Sequence, residues 1–161
     1  MQDLPKDLQR KLALELSAPD LINFCLLNKT INKNVCESQD FWRQKLSIDY
    51  PKLFFYYQKN KIVLINPKNT YIRKFTEVSR KIEEVSKKLY KNVDKDITYD
   101  KIYNEIYVIY EKVLKKQDIS YEKIMLLIYN VFSTYLTETD LHLINKLIID
   151  LINKDKLYDY K

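Results

Sequence analysis

Residues 4–16 read LPKDLQRKLALEL. Leucines at positions 4, 8, 12 and 16 recur every four residues, which on a helix draws one apolar stripe. Pro5 suits the first position of a helix, and Asp7 places a carboxylate in the first turn, where the helix dipole favours it. The stripe needs an apolar surface against it, in this chain or in another.

The same punctuation continues outward from this stretch. In SAPDL, Ser17 stands three residues before Asp20, a capping-box spacing, and Pro19 fits a first turn. The second helix then takes its apolar face from Leu21, Phe24 or Cys25, and Leu27. TINKNVCE supplies another turn or two, and SQDFWRQKLSIDY predicts a short helix with Trp42 and Leu46 on one face, ended by Pro51. KLFFYYQKNKIVLINPKN lacks helical period. Residues 51–70 are therefore expected to form an extended aromatic connector packed by Phe54, Phe55, Val63 and Ile65. KIVLI has the composition of a strand, but no second strand is apparent to pair with it.

From Thr70 the helical period returns. Ile72, Phe75, Val78, Ile82, Val85 and Leu89 fall three and four apart, and Glu77–Lys81, Glu83–Lys87 and Glu84–Lys88 are favourable pairs on the other side. Thr98 caps a helix with Ile102, Ile106, Ile109 and Val113 inward. Ser120 caps one carrying Ile124, Leu127, Ile128, Val131, Phe132 and Tyr135. Thr137 and Asp140 form a capping box before Leu141, Ile144, Leu147, Ile148, Leu151 and Ile152. Four amphipathic helices with short polar links predict an antiparallel bundle. The expected fold is all-α: a three-helix motif over 1–50, the connector over 51–70, and a helical bundle over 71–161.

Composition excludes several chemistries. The chain has 161 residues and no glycine, so phosphate-cradling loops, dinucleotide turns and nucleophile elbows have no residue for their tight backbone. One histidine, His142, and two cysteines are too few for a zinc site. Cys25 and Cys36 read as reduced thiols of an intracellular protein. The polar start is not expected to be a secretory signal, and no apolar run reaches the ~18 residues of a membrane span. No catalytic constellation, metal site or cofactor is expected. The 24 lysines and 14 tyrosines follow most simply from an AT-rich coding sequence. Charge is nonetheless uneven: residues 51–92 carry eleven basic and three acidic side chains, whereas 1–50 are balanced.

Taken together, Leu4-Pro5, Asp7-Leu8, Leu12, Leu16, Asp20-Leu21-Ile22, Leu27, Lys29 and Phe41-Trp42-Arg43 resemble the F-box. That pattern opens Leu-Pro-x-Glu-Leu, sets further aliphatic residues at the places of Leu12 and Leu16, and closes near a Trp-Arg pair. The register matches without a gap from Leu4 to Leu21. Departures are Pro19, two places late; Ile31, where a tryptophan is usual; and one extra residue before Phe41. NPKNTYIRKF and the Lys/Asn/Ile/Tyr bias resemble small F-box-like proteins of giant DNA viruses.

The resemblance implies a module that docks on the Skp adaptor of a cullin–RING ubiquitin ligase, with the rest of the chain recruiting a target protein for ubiquitination. The compartment it implies is cytoplasm or nucleus, of a host cell if the protein is viral. Adaptor-facing candidates are Leu4, Pro5, Leu8, Leu12, Leu16, Leu21 and Ile22, while Trp42 is expected inside. A segment of about 40 residues sits near the lower limit for an independent core, which favours a stripe shared between chains. The plainer alternative makes the stripe an ordinary bundle helix.

Target contact is expected at Phe54, Phe55, Tyr56 and Tyr57, and at Tyr103 and Tyr107. For the tyrosines 99, 103, 107 and 110, however, a half-buried bundle face in a tyrosine-biased chain is the favoured reading over stacking on bases or gripping a partner. Two other functions remain open: a scaffold or decoy that binds the adaptor without assembling a ligase, and a nucleic-acid binder using residues 52–91. In the helix from Arg73 to Lys88 the lysines alternate with glutamates, which favours a solvated face over phosphate binding.

Overall fold

The computed structural model describes residues 4–94, 96–116 and 119–156. The fold is all-α, and no strand occurs among the described residues. The chain divides into two compact units, the first ending at Phe75 and the second beginning at Thr76.

The first unit contains α1 (Lys6–Glu15), α2 (Ala18–Leu27), α3 (Lys29–Ile31) running on into a π-helical turn (Asn32–Cys36), α4 (Gln39–Asp49) and α5 (Pro51–Lys59). It also holds the opening of α6 (Pro67–Tyr90). The starts are set by local chemistry. The Ser17 hydroxyl accepts from the Asp20 N–H, the Asn28 side chain from Ile31 N–H, and the Ser38 hydroxyl from Phe41 N–H. Such caps are each worth about 1 kcal/mol.

The core of this unit is built around Trp42, which is buried as expected. Its indole N–H donates to the Cys36 carbonyl at 2.7 Å, satisfying an acceptor at the end of the π-helical turn. Phe41 and Tyr71 approach its ring at 5.3 and 5.2 Å, and Tyr50 lies 5.3 Å from Tyr71.

Three expectations are corrected in this unit. First, the connector is largely helical: Pro51–Lys59 form α5, packed on α4 through buried Leu53, and only residues 60–66 run without helix. Aromatic residues lose only about 0.5 kcal/mol of helix propensity against good formers, so a packing contact overrides them. Phe55, Val63 and Ile65 do not pack; all three are exposed. Second, Cys25 and Cys36 are joined by a disulfide, with Cα atoms 5.9 Å apart, rather than being separate thiols. The fold brings α2 against the π-helical turn, a proximity that an eleven-residue separation does not announce. Third, α6 begins at Pro67, and its buried stripe there runs through Tyr71 and Lys74, with Ile72 and Phe75 only half-buried.

The second unit comprises α6 from Thr76 onward, α7 (Tyr99–Lys115), α8 (Tyr121–Phe132) and α9 (Glu138–Lys156). Val78, Ile82 and Leu89 of α6, and the isoleucines 102, 106, 109, 124, 128, 144 and 148, are buried as their spacing predicts. Thr98 and Ser120 cap as expected, and Thr137 and Asp140 exchange both bonds of a capping box, at 3.2 and 3.3 Å. Tyr135, just past α8, donates to Glu105 in the first half of α7 and ties the two helices together. Lys154 of α9 pairs with Glu77 of α6 at 3.1 Å.

Candidate functional site

The leucine stripe of α1 lies largely outside the core. Of its ten residues, the two that are buried are Gln9, 1 % exposed, and Ala13, 0 % exposed. Leu8 and Leu12 are 46 % and 43 % exposed. A helix that turns a glutamine and an alanine inward, and keeps its leucines at the surface, is inverted with respect to its own hydrophobicity.

Specific contacts hold that rotation. The Gln9 amide donates to Leu4 O at 3.0 Å and accepts from the Asn34 amide at 3.2 Å, so its buried polar atoms are partnered. Arg10 Nε reaches Asn34 O at 3.5 Å. At the other end, Lys45 of α4 donates its ammonium to the carbonyls of Leu14 and Leu16 and pairs with Asp49 at 3.1 Å. Asp49 in turn accepts from the Tyr71 hydroxyl at 2.6 Å. Helix α1 is thus capped by a buried cation, which complements its C-terminal dipole.

The other expected adaptor-facing residues divide. Pro5 is exposed, and Leu4, Leu16 and Ile22 are half-buried. Leu21 is fully buried and belongs to the core of the unit, which corrects its place among surface candidates. The reason is its position in α2: Leu21 shares an inward face with Ala18, also buried, while Ile22 is turned aside. Leu26, not singled out from sequence, is strongly exposed.

The expected target-binding residues fall in two units. On α5, Phe55 is 58 % exposed, while Phe54, Tyr56 and Tyr57 are half-buried. On α7, Tyr107 is buried, correcting its assignment to a contact surface, because Tyr99, Tyr103 and Tyr107 form a stacked ladder with ring centroids 6.4 and 6.1 Å apart. Tyr103 is half-buried, with its hydroxyl 2.6 Å from Ser79 Oγ. Burial pushes the Tyr103 phenol up from its ordinary pKa, the Ser79 hydrogen bond opposes this, and Glu83 adds to it. Burial also raises Tyr135, reinforced by its hydrogen bond to Glu105. These tyrosines read as the bundle face that the sequence favours.

Gln9, Asn34 and Lys45 carry no motif signal in the sequence; their roles appear only once α1, the π-helical turn and α4 are assembled. Among the described residues, no cluster of histidine, cysteine, aspartate and glutamate could hold a metal ion, and no helix is long and apolar enough to cross a membrane. In comparisons with known proteins, no family model, curated protein or solved structure matches the chain.

Proposed function

We propose that the first unit is an F-box-like docking module. It binds a Skp adaptor of a cullin–RING ubiquitin ligase through α1, and the remainder of the chain recruits the protein to be ubiquitinated. The observation that carries this reading is the inversion of α1, with Leu8 and Leu12 outward over buried Gln9 and Ala13. Of the leucines that resemble the family's adaptor-facing set, Leu8 and Leu12 are the two this chain leaves outside its own core. Covering two half-exposed leucines stabilises a complex by about 1 kcal/mol each, so they act as anchors within a larger contact that includes Pro5.

The chain would carry out no chemistry itself. It would hold the target near ubiquitin activated by other subunits, a contribution of proximity.

Co-expression with a Skp adaptor tests the reading. The chain should co-purify one-to-one with the adaptor. Leu8→Asp should abolish that while leaving the fold intact, because an unpaired charge in an apolar contact costs several kcal/mol and an exposed position costs the free chain little. A folded Leu8→Asp that still binds would sink the proposal. A cullin in the purified complex distinguishes a ligase receptor from a decoy.

A further inference from the structure

From Pro51 to Phe75 the chain carries Lys52, Lys59, Lys61, Lys68, Arg73 and Lys74 and no aspartate or glutamate. Within this span lies a loop held at both ends. At its start, the N–H groups of Asn60, Lys61 and Ile62 donate to the Tyr56, Gln58 and Tyr57 carbonyls at 3.1, 3.1 and 2.9 Å, closing α5 in a Schellman pattern. At its end, the Asn66 side chain accepts from Asn69 N–H at 3.1 Å, and Lys68 N–H donates to Gln39 of α4 at 3.2 Å.

Between these anchors Leu64 is half-buried, whereas its two neighbours stand outside the core. Val63 is 78 % and Ile65 89 % exposed. Among the described residues, the main-chain groups of Val63 and Leu64 make no hydrogen bond. β-Branched residues favour an extended backbone, and extended backbone with open donors and acceptors is a template for strand addition. Exposed Phe55 and Lys59 lie four apart on one side of α5 and lead into the loop.

We propose that residues 61–65, with Phe55 and Lys59, capture an extended segment of a partner protein that alternates acidic and apolar residues. Main-chain pairing at Val63 and Leu64 would supply affinity, the aliphatic side chains would take the partner's apolar positions, and the lysines would select carboxylates. A nucleic acid would satisfy the lysines but leave Val63 and Ile65 in water. This rests on the reading of the chain as a receptor, and gives its target a chemistry. The test needs no adaptor, so either idea can fail alone.

The full chain is titrated with a labelled twelve-residue peptide alternating glutamate and valine, with versions carrying glutamine or lysine in place of glutamate, and with RNA and DNA oligonucleotides. The glutamate peptide should bind about tenfold or more tighter than the glutamine version, and the advantage should shrink with added salt. Val63→Pro, which removes a donor, and Ile65→Ser should each weaken binding, as should the double variant Lys59→Glu with Lys61→Glu. Leu8→Asp should bind the peptide like the parent. Equal binding of the glutamate and lysine peptides overturns the proposal. So does tighter binding of an oligonucleotide, or unchanged affinity in folded Val63→Pro and Ile65→Ser.

Discussion

Lys45 Nζ lies 3.1 Å from Asp49 Oδ2 inside the first unit, with the lysine side chain 1 % exposed. The same ammonium donates to Leu14 O at 2.9 Å and also to Leu16 O. One cation therefore neutralises a carboxylate on its own helix and closes the end of another. Lys45→Met should destabilise this unit by about 3 kcal/mol or more, because it leaves Asp49 without its cation and the α1 carbonyls without a donor. Trp42, the single tryptophan, reports the unit's unfolding in urea. The double variant Lys45→Met with Asp49→Leu should recover part of the loss. No recovery would mean that the carbonyl contacts, and not the ion pair, dominate.

The two sides of α1 should respond oppositely to substitution. Leu8→Ser and Leu12→Ser, at half-exposed positions, should each cost less than about 1 kcal/mol of unfolding free energy. Ala13→Leu, at a position with no exposure, should cost about 1–3 kcal/mol by overpacking. If the serines cost more than the leucine, the outward assignment of the stripe is wrong.

Alkaline pH should loosen the second unit. Burial holds Tyr103 and Tyr135 above the ordinary phenol pKa, and Glu105 adds to the effect at Tyr135. The unfolded phenols ionise near about pH 10. Above that pH the unfolded state has released protons that the folded state retains, so stability falls as pH rises through the folded pKa values. The contribution is fully present below about pH 10 and should be lost above it. Phenolate absorbance should show these two groups titrating late. The double variant Tyr103→Phe with Tyr135→Phe should lose less stability between neutral and strongly alkaline pH than the parent.

Lys61 sits at φ 54°, the left-handed position that follows α5. Glycine is the usual occupant of that site, and this chain has none. Lys61→Gly should stabilise the first unit by about 0.5–1 kcal/mol, the relief of the side-chain penalty less the added freedom of the unfolded chain. Thermal unfolding monitored by Trp42 checks it. A lower midpoint would mean that the lysine side chain contributes more than its backbone costs.

What the sequence determined by itself was the alphabet of elements and most of their starts. Leucine and isoleucine spacing of three and four, with Ser17, Thr98, Ser120 and Thr137 as caps, specifies helices through interactions within a turn or two. Those interactions survive whatever the rest of the chain does. The tertiary structure decided which side of α1 faces inward, and one helix outright. α5 is helical because Leu53 packs on α4, although PKLFFYYQK has no clear period. α1 buries Gln9 and Ala13 because Asn34 and Lys45, 25 and 31 positions from the atoms they bind, offer partners for its polar atoms. Leu21 turns inward, Tyr107 becomes part of a ladder, and Cys25 meets Cys36 for the same reason. A periodic stripe states that an apolar face exists. Only long-range contacts, which local spacing does not encode, state what covers it, and on α1 nothing in the first unit fully covers Leu8 and Leu12.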